Sequence, residues 1–383
     1  MDLTLRTPLL GGLTPATFMR RHWQKKPLLI RGAVPGGVAV VTRALLFALA
    51  ADEAVESRLV VHDGADWSLR HGPFKRAAIP PLKQPRWTLL VQGIDLHLAA
   101  ARALLERFRF VPDARLDDVM VSYASDGGGV GPHVDSYDVF LLQVQGRRRW
   151  RVGRVTDPAL VPDVPLKILA RFTPEFDWLL EPGDMLYLPP GWGHDGVAEG
   201  ECLTCSIGFR AAGRDQLARD VLQRALDAAE PAEPADGDTV ADTLYRDPKQ
   251  PATAEPGRIP PTLQAFAGAA VARTLGDRRW LACALGEVLS EPKPGVWFET
   301  PLAVPEAGEL RLDGRTRMLY DDWHIFVNGE SYQAAGRDAR LMRLLADERV
   351  LPSREQGLLT PAARELLDDW LDAGWMRRDE AKP

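Results

Sequence analysis

The chain has 383 residues, room for more than one domain, and its 45% hydrophobic and 26% charged content is that of a water-soluble globular protein. A formal net charge of −6 argues against general nucleic-acid affinity and is compatible with a basic protein partner. Three cysteines make no disulfide framework, no apolar run nears the roughly 18 residues of a membrane span, and the first residues lack a signal-like apolar core, so a cytoplasmic protein is expected.

In chain order, residues 12–50 read as helix, strand, helix. Thr14-Pro15 opens a helix that runs through His22 and Trp23, and Pro27 precedes the strand Leu28–Arg31. His22, on a helix face beside Trp23, reads as a packing residue. Weak alternation over 56–90 predicts short strands around Leu59–Val61, Trp67–Leu69 and Trp87–Val91, with His62 and His71 as turn residues. Asp95–Arg107 reads as a helix with an apolar stripe of Leu96, Ala99, Ala100, Ala103 and Leu104; His97 lies off that stripe. The strand Asp118–Ala124 then feeds a glycine loop, 127–131. No Lys-Ser/Thr or helix follows it, so the glycines suit close backbone approach to a site better than a phosphate loop.

The densest signal is GGGVGPHVDSYDVFLLQVQGRRRWR (127–151). Read as one strand, it sets His133 and Asp135 on the same face. Sixty-one residues beyond His133, a Pro-Pro-Gly-Trp-Gly turn delivers His194, with room for roughly five strands between. Two imidazoles and one carboxylate that leave open coordination positions make the 2-His-1-carboxylate set of non-haem Fe(II) oxygenases. His133, Asp135 and His194 are therefore the candidate metal ligands and catalytic residues. The arginines Arg147–Arg149 begin fourteen residues after His133. An Arg fork matches the distal carboxylate of 2-oxoglutarate and stays charged when buried. On an alternating strand Arg147 and Arg149 share one face and Arg148 takes the other, and spacing alone leaves the choice open.

Tyr137 and Asp126 read as mouth residues able to meet a cationic substrate side chain, or equally as solvated loop positions. Cys202 and Cys205 have the C-x-x-C spacing but no second pair, and on a strand they face opposite ways. Ser206 shares a face with Cys202 and Thr204 and is a candidate pocket hydroxyl for the cosubstrate. From Arg214 the period becomes helical, with Leu217, Val221, Leu222, Ala225 and Leu226 in one stripe, followed by a Pro/Ala-rich, acidic, linker-like stretch, 229–261. A second helical stretch, Pro261–Leu289, breaks at Gly276-Asp277; its apolar stripe (Leu263, Phe266, Val271, Leu275) suggests burial against a partner. The last segment reads as strands Leu310–Leu312, Thr316–Tyr320 and Trp323–Val327, with Asp313-Gly314 and Asn328-Gly329 as hairpin signals and His324 as a structural residue. Helices around Leu341–Leu345 and Leu366–Leu371 follow. Asp368, Asp369 and Asp372 make the last of these a poor match to phosphate.

The stretches FMRRHWQKKPLLIRGA (18–33), 127–153, EPGDMLYLPPGWGHDG (181–196) and TCSIGFRA (204–211) resemble the JmjC-type 2-oxoglutarate oxygenases, specifically the bacterial ribosomal oxygenases. In that family the residue fifteen after the first ligand His is the cosubstrate-binding base, which selects Arg148. The resemblance implies an α+β chain: a double-stranded β-helix (jelly-roll/cupin) catalytic domain over 1–210, a helical dimerisation region over 211–278, and a winged-helix-like domain over 279–383. It further implies a homodimer that uses Fe(II), 2-oxoglutarate and O2 to hydroxylate the β-carbon of an arginine in a large-subunit ribosomal protein, with no membrane or nucleic-acid partner. Two alternatives stand beside it. One is the same chemistry on another protein, such as N-methyl-lysine demethylation. The other is a non-catalytic cupin/winged-helix scaffold or nucleic-acid-binding protein, against which the intact ligand set counts.

Overall fold

Thr14 accepts a hydrogen bond from the Thr17 amide at 3.1 Å and Pro15 presets the first helical φ, so α1 runs Pro15–Arg21. Thr42 caps α2 (Arg43–Leu49) in the same way, and α3 spans Ala99–Glu106. The computed structural model describes residues 2–35, 40–64, 66–228, 244–248, 258–300, 305 and 307–380. The chain divides into two compact units, Met1–Ala211 and Ala212–Pro383.

The first unit is built on ten strands: β1 (Leu28–Ile30), β2 (Ser57–Asp63), β3 (Asp66–His71), β4 (Trp87–Val91), β5 (Leu116–Ala124), β6 (His133–Val134), β7 (Val139–Arg154), β8 (Phe176–Leu180), β9 (Met185–Leu188) and β10 (Trp192–Phe209). They pair antiparallel in the order β1-β9-β7-β10-β5-β4-β2-β3, with β8 on β7 and β6 on β10. The long β7 and β10 each serve both layers. The first half of β7 pairs with β9 and its second half with β8; β10 pairs first with β6 and then with β5. The register shifts between Glu199 and Leu203, beside Gly146 at φ +64°, where a Cβ would lie 2.1 Å from the Glu201 carbonyl oxygen. One sheet thus doubles over on itself as a double-stranded β-helix.

Period-2 alternation along β7 separates two cores. Phe140 and Leu142 join Phe18, Phe108, Tyr187 and Phe209 in the larger core under the N-terminal helices. Val139 and Leu141 turn the other way, into the barrel, with Trp150, Val152, Leu180, Leu186, Leu188 and Trp192. Each such fully buried aromatic or aliphatic side chain contributes about 1.5–3 kcal/mol.

His22 stacks on Phe18 at 5.9 Å, a packing residue as its helix position implies. His62 and His71 belong to β2 and β3 rather than to turns; His62 stacks on Trp67 across the hairpin at 4.1 Å. Cross-strand aromatic packing overrides the turn reading there. The helix predicted from Asp95 begins instead as a 3-10 turn, Ile94–Leu96, because the Asp95 carboxylate accepts the Val119 amide at 2.8 Å.

In the second unit, α4 (Arg214–Ala228) packs against α6 (Arg278–Ser290), and α5 (Pro261–Leu275) precedes α6. Asp277 starts α6 by accepting the Arg279 and Trp280 amides, which is why the helical stretch breaks where Gly276-Asp277 stands. Most of the predicted linker (229–243 and 249–257) lies outside the described residues. The remaining elements are β11 (Gly308–Leu312), β12 (Met318–Tyr320), β13 (His324–Val327), β14 (Glu330–Gln333), α7 (Gly336–Glu348), β15 (Val350–Leu351), α8 (Ser353–Gln356), α9 (Pro361–Asp372) and β16 (Met376–Glu380). Leu310, Leu345, Leu367 and Trp370 are central to their core. Asn328-Gly329 turns β13 into β14 with both residues at positive φ, as a two-residue hairpin requires. Asp313-Gly314 does not make a hairpin. It turns the chain, but β11 pairs with β15 and β16 while β12 pairs with β13, so its flanking strands belong to different sheets.

Candidate metal centre and cosubstrate pocket

Strand register brings the sequence-predicted ligands together. His194 on β10 lies opposite His133 on β6 and, on its other side, opposite Val152 on β7. Directly paired residues share a face, so both imidazoles point into the barrel. Asp135 follows outside any strand. The single strand expected from the glycine loop through Phe140 is in fact the two-residue β6, an irregular turn, and then β7. The cause is the Asp135 carbonyl, which accepts the Gly191 amide at 3.0 Å and so ties the ligand segment to the turn that precedes β10. Convergence survives the break: ligand atoms of His133, Asp135 and His194 all lie within 4.8 Å of one another. Asp135 Oδ2 is 3.6 Å from His194 Nε2, and the imidazole centroids are 4.2 Å apart.

Backbone carbonyls set the tautomers. His133 Nδ1 lies 2.9 Å from the Gly131 oxygen, and His194 Nδ1 lies 3.2 Å from the Trp192 oxygen. A carbonyl only accepts, so each Nδ1 carries the hydrogen and each Nε2 keeps a lone pair for a metal. Burial, reinforced by neighbouring His133, holds His194 well below the ordinary imidazole range, so it is neutral and ready to ligate. Burial also pushes Asp135 up, against the pull of His133 and the Tyr137 phenol. A desolvated carboxylate beside the neutral His194 imidazole is a setting that a divalent metal stabilises.

Two further cross-strand rows lead inward from the His194–Val152 row: Gly196 opposite Trp150, and Ala198 opposite Arg148. Arg148 is 3% exposed, whereas Arg147 and Arg149 lie on the outer face with Glu199 and Asp177. The Arg148 Nη1 donates to Ser122 Oγ at 2.8 Å and to Thr204 Oγ1 at 3.3 Å, and Thr204 donates to Gln143 at 3.0 Å. The Arg148 Nε is buried without a partner, and among the described residues no carboxylate pairs with this guanidinium. A buried cation without a counter-ion is costly, and a dicarboxylate cosubstrate provides one.

The structure does not gather every predicted residue here. Ser206 shares the inward face two positions past Thr204, but Ser122 and Thr204 are the hydroxyls that hold Arg148. Tyr137 is 39% exposed beside Asp135, at the rim. Asp126 is exposed and accepts the Gly200 amide at 2.7 Å, in a groove with Arg86, Arg147 and Glu199. Gly200 is six residues past His194 on β10, about 20 Å of extended strand. The acid outside the triad whose charge most raises Tyr137 is Asp118, 3% exposed, which accepts from Gln92, itself bonded to Arg58. Sequence reasoning missed Ser122, Gln143, Trp150 and Asp118. The available signal was a polar or outsized side chain interrupting an apolar strand.

The geometry has counterparts among known proteins. A JmjC domain family model matches residues 103–217, and a ROXA-like winged helix model matches 276–377. The Ribosomal protein uL16 3-hydroxylase of Escherichia coli (strain K12) is 34% identical over 343 residues, 84% of this chain and 86% of that protein. A Probable ribosomal oxygenase of Haemophilus influenzae is 39% identical over 202 residues, 52% of this chain and 50% of its own length. The X-ray structure of E. coli ycfD superposes with a TM-score of 0.82 at 29% identity, covering 96% of this chain and 98% of that one. A ycfD complex with cobalt and 2-oxoglutarate gives 0.78 at the same identity, covering 95% and 98%. Similarity of this extent, over both units and nearly the whole of a solved relative, makes the chain a member of the JmjC-type ribosomal oxygenase family.

Proposed function

We propose that this protein is an Fe(II)- and 2-oxoglutarate-dependent protein hydroxylase. The observation that carries the reading is a buried arginine without a counter-ion among the described residues, on the same barrel face as a His-Asp-His cluster and two rows deeper. With bound iron, 2-oxoglutarate and O2, such a site converts an unactivated C–H to C–OH and releases succinate and CO2. His133 and His194 offer Nε2 and Asp135 offers one carboxylate oxygen, leaving the remaining positions open. Arg148, oriented by Ser122 and Thr204, holds the distal carboxylate. Trp150, Val152, Leu180, Leu186 and Trp192 keep water from the pocket. Tyr137, exposed beside Asp135, is the substrate-contacting residue in this reading.

The substrate that fits the family is a large-subunit ribosomal protein, hydroxylated at the β-carbon of an arginine. The protein acts in the cytoplasm as a homodimer joined through the helical region 211–278. Among the described residues no helix is long and apolar enough to cross a membrane. The test is intact-mass analysis of large-subunit ribosomal proteins incubated with the protein, Fe(II) and 2-oxoglutarate. The expected result is a gain of about 16 Da on one of them, absent with His133→Ala, which removes an iron ligand. Turnover of 2-oxoglutarate without any mass gain would discard the ribosomal substrate, and a parallel series of arginine and N-methyl-lysine peptides would then find the target. Absence of both iron binding and turnover would overturn the enzyme reading.

A further inference from the structure

One row separates the iron-ligand row from Arg148: Gly196 on β10 opposite Trp150 on β7. Trp150 is 5% exposed, its six-membered ring seated where a Gly196 Cβ would come within 2.6 Å of it. Its centroid lies 5.8 Å from that of His194, and the Arg148 guanidinium carbon lies 5.2 Å from the indole centroid. The Trp150 Nε1 is buried with no hydrogen-bond partner among the described residues, so its own bonds do not explain the presence of an indole. The explanation is shape. Ser122 and Thr204 hold one edge of the guanidinium and the flat indole backs it, so the cation cannot slide along the barrel toward or away from the metal ligands.

We propose that Trp150, seated on Gly196, sets the length of 2-oxo dicarboxylate that the pocket accepts, by fixing the span between the iron ligands and Arg148. This inference rests on the reading of the pocket as a 2-oxoglutarate site. Trp150 is here a positioning residue that acts through Arg148. With the ring in place, a chain one methylene longer brings its distal carboxylate out of register with an immobile fork; with the ring gone, Arg148 gains room to follow it. A mismatch of one methylene in a closed pocket is worth about 10- to 200-fold. A wall with a merely structural role would affect every ligand alike.

The discriminating measurement is calorimetric affinity for 2-oxoglutarate and for 2-oxoadipate. It uses full-length wild type, Trp150→Phe and Trp150→Leu, each loaded with Mn(II) without oxygen so that no turnover intervenes. Wild type is expected to prefer 2-oxoglutarate by about tenfold or more, Trp150→Phe to keep that preference, and Trp150→Leu to bring the two ligands within about threefold. A Trp150→Leu protein that weakens both ligands equally, or a Trp150→Phe protein that loses discrimination as fully as Leu does, overturns the proposal. If Trp150→Leu does not fold by circular dichroism, Trp150→Met fills the volume without a flat face and carries the same expectation. Wild type that binds neither acid overturns the reading of the pocket, whereas binding with an unchanged ratio overturns only the role of Trp150.

Discussion

At the scale of single residues, the site depends on what each polar atom lacks. Arg148 has a fork pointed into the barrel, two hydroxyls on one nitrogen and, among the described residues, no carboxylate. Lysine at this position keeps the charge but loses the planar fork. Arg148→Lys is therefore expected to raise the KM for 2-oxoglutarate about 10- to 100-fold, about 1.4–2.7 kcal/mol, with kcat changed much less. Steady-state kinetics with 2-oxoglutarate as the varied substrate checks it. His133 and Asp135 were legible in the sequence because a close-spaced pair of ligand residue types is a local feature, although the continuous strand expected to carry both ends after Val134. Ser122, Thr204 and Gln143 were not. Their role depends on the register that sets β5, β7 and β10 side by side, and no local pattern encodes a register across 56 to 82 residues.

At the scale of elements, short-range chemistry decided more than periodicity did. Thr14, Thr42 and Asp277 start their helices where capping chemistry allows, whereas Asp313-Gly314 looks like a hairpin turn and joins strands of different sheets. The turn between β12 and β13 shows the strength of such local bonds. Asp321 Oδ1 accepts the Trp323 amide at 2.7 Å and the His324 amide at 2.6 Å, and Oδ2 faces His324 Nδ1 at 3.2 Å. Burial raises the Asp321 carboxyl, but these donors outweigh it and the net shift is downward. With the folded value below the unfolded one, the stabilisation is fully present above about pH 4 and is lost as pH falls through the folded value. Asp321→Ala is expected to destabilise the second unit by about 1–3 kcal/mol at neutral pH, and the gap from wild type to narrow in acid. Urea denaturation at pH 7 and pH 3, followed by circular dichroism, measures both.

For the whole molecule, the barrel was legible because its strands alternate and its motifs sit at turns, and the family resemblance extended that reading to the second unit. The helical stripes leave a question of assembly. Leu226 is 60% exposed, Val271 58% and Phe266 38%, whereas Ala225 is buried. Exposed apolar side chains on these helices are what the proposed homodimer would cover. Under the proposed homodimer, Phe266→Glu and Leu226→Glu are expected to yield monomer with the secondary structure of each subunit intact, as light scattering behind size exclusion would report. A wild-type monomer at micromolar concentration would refute the homodimer.

The pairing of His133 with His194 also makes the ligand set a property of the folded chain rather than of any local segment. The two imidazoles stand on strands that pair directly in the fold but are separated in the chain by β7, β8, β9 and the turn before β10. A chain that ends before β10 carries His133 and Asp135 but not the second imidazole, so two of the three ligands are all it can offer. The complete ligand set therefore exists only where β10 lies against β6, and metal binding there adds its free energy to the folded arrangement.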